Sequence, residues 1–139
     1  MQDRYLSRGR RIDNGEWITG CLIYDEYCGS EPPQIGYLSS DGGDFDSVDP
    51  ATVGQCTGLR DKNGTLIFEG DILSDGKNKY VVEYSEFGTG IHARAITDRE
   101  NIWSLYHLVN RHNEGREIEI IGNIHDNPEY SGTAKGGEA

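Results

Sequence analysis

Three carboxylates close together in the chain, Asp61, Glu69 and Asp71, are the first residues whose type and spacing could do chemistry. Brought to one end of a fold and held in unlike environments, two of them would form the acid and base of a hydrolase. A plainer use competes with that one. Asp61 and Asp71 stand beside turn residues, where an aspartate side chain accepts hydrogen bonds from its own turn. Glu69 is then solvated or capped by a nearby amide. No lysine, histidine or arginine has a sequence position that nominates it as a partner, so the plainer use is favoured.

Other constellations are weaker. Asp44-Phe45-Asp46-Ser47-Val48-Asp49 fills the first and third positions of a calcium loop. However, Val48 replaces the next ligand, Asp49 the required glycine and Gln55 the closing glutamate. His107 and His112 are five apart, too far around a helix to share a face, and His92 and His125 belong to no ligand motif. Cys21, Cys28 and Cys56 match no zinc or redox spacing and read as thiols packed like small hydrophobes. Ser40-Asp41-Gly42-Gly43 is no nucleophile elbow, and no glycine run leads into Lys-Ser/Thr as a phosphate loop does. No cofactor and no metal is expected.

Charge narrows the partners. The 139-residue chain carries a formal charge of −11, which opposes binding to a phosphate backbone. Arg4, Arg8, Arg10 and Arg11, with Tyr5 and Trp17, form the one basic-aromatic cluster that nucleic acid could use. Seven carboxylates (Asp25, Glu26, Glu31, Asp41, Asp44, Asp46 and Asp49) fall between Tyr24 and Pro50, where there is no lysine or arginine. That run is either a solvated acidic loop or a docking surface for a basic partner. No window is apolar enough to span a membrane or to act as a secretory signal. The expected location is the cytoplasm.

The elements that must position these groups are mostly strands. An apolar fraction of 35% with 19 glycines describes a turn-rich chain of short strands, long enough for one core. Trp17, Thr19, Cys21 and Ile23 alternate with Ile18 and Leu22, and Gly20 is a candidate bulge. Residues 27–47 form a long excursion in which only Gln34 to Ser39 suits a strand. Asp61-Lys62-Asn63-Gly64 is a hairpin turn between Cys56–Leu59 and Thr65–Phe68. Glu69-Gly70-Asp71 turns the chain into Ile72-Leu73, Ser74–Asn78 turns it into Lys79–Tyr84, and Ile91–Ile96 and Glu117–Ile121 are further strands. Ile102, Leu105, Tyr106 and Val109, with Asp98 as cap, predict one short amphipathic helix. Residues 131–139 are read as a disordered tail.

Several separated blocks resemble the YopX family, small proteins of bacteriophages and prophages. They are Glu16-Trp17-Ile18-Thr19-Gly20, Thr52-Val53-Gly54-Gln55-Cys56-Thr57-Gly58-Leu59, Asp61-Lys62-Asn63-Gly64, Ile67-Phe68-Glu69-Gly70-Asp71-Ile72, and Ile118-Glu119-Ile120-Ile121-Gly122-Asn123-Ile124 with Asn127-Pro128. Cys56 departs from the pattern, standing where a bulky apolar residue belongs, and residues 98–115 diverge. Glu-Gly-Asp-Ile opening a strand is also similar to SH3-like barrels. These readings give one domain over residues 1–130, mainly β, with an SH3-like or related small barrel from about Val53 to Ile124. An N-terminal strand-loop segment packs on the barrel, and α+β is the alternative. The motif residues Trp17, Thr57, Gly58, Asp61, Gly64, Glu69, Gly70, Asp71, Gly122 and Asn123 are expected to be structural. The resemblance implies a phage or prophage origin, self-association and no assigned activity. The leading expectation is therefore a non-enzymatic accessory protein of the bacterial host cytoplasm that self-assembles and binds a host or phage protein. A nucleic-acid role, by direct binding or by acidic mimicry of DNA, and a weak carboxylate hydrolase are the alternatives.

Overall fold

The computed structural model describes residues 5–23, 32–39, 42–84, 90–98, 100–110 and 117–130. Arg4, Asp25, Glu26, Cys28, Glu31, Ser40, Asp41, His112 and the tail at 131–139 lie outside them. The chain divides between Gly58 and Leu59 into two compact units.

The first unit is built on antiparallel strands β1 (Ser7–Arg10), β2 (Trp17–Ile23), β3 (Gln34–Ser39), β4 (Gly42–Ser47) and most of β5 (Gly54–Arg60), in the sheet order β4-β3-β2-β1-β5. The β1–β2 register runs without a break from Ser7 opposite Gly20 to Arg10 opposite Trp17. Gly20 is therefore not a bulge. It is bare because a Cβ there would sit 2.5 Å from the carbonyl oxygen of Gly36 on the next strand. Gly36 is tighter still, since a Cβ would overlap the Asp44 carbonyl on β4. β4 is also new: Gly42-Gly43 and the aspartates read as loop, yet they pair with β3 from Ser39–Gly42 to Gln34–Ser47. Ile35 and Val48 are fully buried here, packed against the bare backbone of Gly9. Asp49 caps a 3-10 turn at Pro50–Thr52, and the buried Thr52 hydroxyl oxygen accepts the Arg10 N–H at 2.9 Å while donating to the Asp49 carbonyl.

The second unit begins with the hairpin that joins β5 to β6 (Leu66–Phe68) and continues through β7 (Asp71–Ser74), β8 (Lys79–Tyr84), β9 (Ile91–Ala95), β10 (Ile102–Ser104), helix α1 (Leu105–Val109) and β11 (Glu119–Asn123). Its larger sheet is ordered β10-β9-β8-β7-β11. Tyr80 opposite Ala95 and Val82 opposite Ala93 put one face of β8–β9 into a core with Ile67, Leu73, Leu105, Leu108 and Ile118. Burying each large aliphatic side chain of this set contributes about 1.5–3 kcal/mol.

The mainly β reading holds, but the barrel does not. Neither sheet closes on itself among the described residues, and a closed barrel needs a continuous ladder between its first and last strands. In the first unit only an isolated bridge, Arg11 with Val48, links the end of β1 to the end of β4. In the second, β10 and β11 remain the two ends. The helix is also shorter than the periodicity predicts. Ile102–Ser104 pairs with β9 instead, so the helix spans five residues and its cap is Ser104 rather than Asp98. Ladder hydrogen bonds to β9 outweigh local helical propensity. As a result the buried pair is Leu105 and Leu108, while Ile102 and Tyr106 face solvent.

Candidate functional site

Asp61, the first candidate carboxylate, ends up as the clasp of the hairpin turn. Oδ1 accepts the N–H groups of Asn63 and Thr65, both at 2.9 Å, and Oδ2 accepts that of Ile120 at 3.1 Å, 59 residues away. The Asp61 N–H in turn donates to Thr65, and the Lys62 N–H donates to the Ile118 carbonyl. Burial raises this carboxyl, but the amides of Ile120, Thr65 and Asn63 outweigh it, helped by the Lys62 charge. The acid is left below its ordinary range. Only Gly64 adopts positive φ here, at 83°, and a residue with no Cβ does so at little cost.

The Ile67–Ile72 block forms a corner with the Ile118–Ile124 block. The Asp71 side chain, 1% exposed, accepts the Phe68 N–H at 2.7 Å, and Gly70 turns at φ 92°. The Gly70 carbonyl accepts Ile124 N–H, fixing the end of β11 to that turn. Asn123 Oδ1 accepts the N–H groups of His125 and Asp126, while the Asn127 side-chain oxygen lies on Gly122 and accepts the Asn123 N–H. Glu69 is half-buried at the same corner. In the first unit Cys56 is buried, donates its N–H to the Leu6 carbonyl and accepts the Gly58 N–H on Sγ. Thr57 is half-buried beside it. Neither Cys56 nor the half-buried Cys21 forms a disulfide among the described residues.

Of the acidic run, Asp44 and Asp46 fall on β4, the end strand of its sheet, two residues apart and so on one face. Asp44 is exposed, Asp46 lies 3.5 Å from the Arg11 guanidinium, and Asp49 caps its turn. The supposed calcium loop is thus a strand followed by a cap. No group of three or more histidine, cysteine, aspartate or glutamate side chains among the described residues is placed to hold a metal. In the arginine cluster, Arg8 and Arg10 lie over the Trp17 ring at 4.8 and 5.6 Å, and Arg11 makes a two-pronged pair with Asp13.

Sequence reasoning missed one charged group. Glu83 on β8 is directly opposite His92 on β9, and its carboxylate contacts His92 Nε2 at 2.9 Å and both Nε and Nη2 of Arg94, at 3.2 and 2.6 Å. The Arg94 side chain is 7% exposed, and its Nη1 is buried with no partner. Burial raises the Glu83 carboxyl, but the hydrogen bonds from Arg94 and then His92 hold it down. The available signal was parity: His92 and Arg94 are two apart on β9, and Glu83 shares their face on β8, opposite the apolar set. Of the other described histidines, His107 is exposed and His125 half-buried.

A surface pocket of about 220 Å³ lies between Arg60–Lys62 and the segments Val109–Asn110 and Glu117–Ile118. Its cations are already engaged. Arg60 donates to the Gly64 carbonyl at 2.7 Å, and Lys62 lies 3.7 Å from Glu119. No helix among the described residues is long and apolar enough to cross a membrane.

Comparison with known proteins agrees with this architecture. The solved structure of protein EF1440 from Enterococcus faecalis is similar, with a TM-score of 0.56 at 20% identity, covering 88% of this chain and 94% of that one. At that identity the likeness is one of fold. No curated protein matches the chain. The sequence family described as YopX protein matches residues 8–130, a span that holds the hairpin clasp, the Gly70 corner and β11 together, and the chain therefore belongs to the YopX family.

Proposed function

We propose that this chain is a phage or prophage accessory protein that acts by binding another protein rather than by catalysis, and that it self-associates. One observation carries the first part: the acidic run enters β4, and β4 is the end strand of its sheet with Asp44 exposed. Apart from Ser47 at its end, whose carbonyl accepts the Ile12 N–H, such an end strand offers backbone N–H and C=O groups to an added strand. Carboxylates along it select a partner of opposite charge and speed the encounter. The same charge disfavours pairing of two β4 edges, so self-association belongs to another surface. Ile102 on β10 and Tyr106 on α1, 52% and 67% exposed, are the apolar groups available for it. The Asp61 and Asp71 geometry supports the non-catalytic half of the proposal, since both carboxylates accept backbone amides of their own turns.

The test is affinity purification from infected cells with the wild-type chain and Asp44→Lys, paired with light scattering over a range of concentrations. The expected result is a basic partner retained by the wild type and weakened about tenfold or more by the charge reversal, with the oligomer unchanged. A strict monomer that retains nothing would overturn the proposal. Equal retention by Asp44→Lys would remove β4 as the contact.

A further inference from the structure

We propose that Asn14 is a site of spontaneous deamidation in the folded protein and that Asn63, the other Asn-Gly pair, is protected from it. In this reaction the backbone nitrogen of the following residue loses its proton to a solvent base and bonds to the asparagine Cγ. The side-chain nitrogen leaves as ammonia. Water then opens the resulting succinimide at one of its two carbonyls, giving aspartate or isoaspartate. A following glycine leaves this attack unhindered because it has no Cβ, and such asparagines are the heat-labile ones.

The two sites share much. All four residues are exposed, Gly15 and Gly64 have φ of 75° and 83°, and nothing lies within 4 Å of where either Cβ would be. Both glycine N–H groups donate within their turns, to Arg11 and Asp61 carbonyls. The difference lies in the asparagines and the charge around them. Asn14 Oδ1 accepts the Glu16 N–H at 2.9 Å. That bond polarises the Cγ carbonyl and holds the side chain against its own backbone. The adjacent carboxylate, Asp13, is paired with the Arg11 guanidinium. Asn63 instead sits in a turn with the Asp61 carboxylate at its centre, bound to the N–H groups of Asn63, Thr65 and Ile120. The Asp61 carboxylate there opposes loss of the Gly64 proton, with the Arg60 guanidinium on the Gly64 carbonyl acting the other way, and the carboxylate's bond to β11 resists the backbone rotation that cyclisation needs.

Conversion at Asn14 adds one negative charge to the β1–β2 turn. The isoaspartate product also lengthens the backbone by one methylene, inside a loop closed by the Arg11 N–H to Glu16 carbonyl bond of 2.8 Å. The experiment incubates the folded protein and a denaturant-unfolded sample in parallel at mildly alkaline pH, with peptide mapping that separates aspartate from isoaspartate. The unfolded chain supplies the intrinsic rates, which should be comparable for two Asn-Gly pairs. In the folded protein Asn14 should convert about fivefold or more faster than Asn63. Equal conversion in the folded sample, or faster conversion at Asn63, would overturn the inference, as would the absence of conversion at Asn14.

Discussion

At the scale of single residues, Asp61 shows how a carboxylate that suggests catalysis is used instead to hold backbone. Its two oxygens take three N–H groups, two inside the turn and one on β11. Asp61→Ala leaves those donors without their charged acceptor and should cost about 3 kcal/mol in denaturant unfolding. A loss below about 0.5 kcal/mol would mean that water replaces the carboxylate without penalty. Asp61 and Glu83 also set the pH response. Both folded acids lie below their ordinary values. Between the folded and unfolded pKa values the unfolded chain therefore binds more protons, and stability rises with pH. Their contribution is complete above the unfolded values, near pH 4, and is lost as pH falls through the folded ones. Glu83→Gln should flatten the fall in stability below about pH 4, read from unfolding midpoints across that range. An unchanged slope would mean that the His92 and Arg94 contacts do not stabilise the ionised form.

At the scale of elements, the departures from sequence expectation share a cause. The turns at Asp61–Gly64, Glu69–Asp71 and Ser74–Asn78 were legible because their chemistry is local: an aspartate side chain folded onto its own backbone and a glycine at positive φ. β4 was not legible, because Gly42, Gly43, Asp44 and Asp46 carry little strand propensity of their own. What makes them a strand is β3, and the Gly36 backbone lies so close to the Asp44 carbonyl that only glycine fits. Ile102–Ser104 was likewise taken from a predicted helix by the register of β9, and the Glu83–His92–Arg94 group exists only once β8 and β9 are aligned. Gly36→Ala tests this dependence. The added methyl meets backbone, which cannot rotate away, so β3 and β4 must separate at a cost of about 2–3 kcal/mol. Hydrogen exchange should show lost protection in β3 and β4, with β8 and β9 unaffected. Unchanged protection of β4 would show that the two strands are not in this register.

At the scale of the whole molecule, charge is the property the sequence states most directly. Twenty-four carboxylates against 13 lysines and arginines give −11, and the structure adds where some of that charge is neutralised. Arg94 is committed to Glu83 and Arg11 to Asp13, with Asp46 nearby. Two of the scarce cations are thus tied to carboxylates, Arg94 within the fold and Arg11 at the surface, while Asp44 stays exposed on β4. A chain this far from neutrality is destabilised by its own repulsion. Salt shortens the range of that repulsion to about 8 Å at 0.15 M, whereas the partly buried Arg94–Glu83 pair is screened less. Raising ionic strength from a few millimolar to about 0.15 M should therefore raise the thermal midpoint. The same change should weaken capture of a basic partner at β4, because the attraction there is between exposed charges. Calorimetry and binding measured on one salt series separate the two effects. A midpoint that falls with salt would show that attractive pairs, not net repulsion, dominate the surface, and binding that is indifferent to salt would show that the β4 carboxylates do not face the partner.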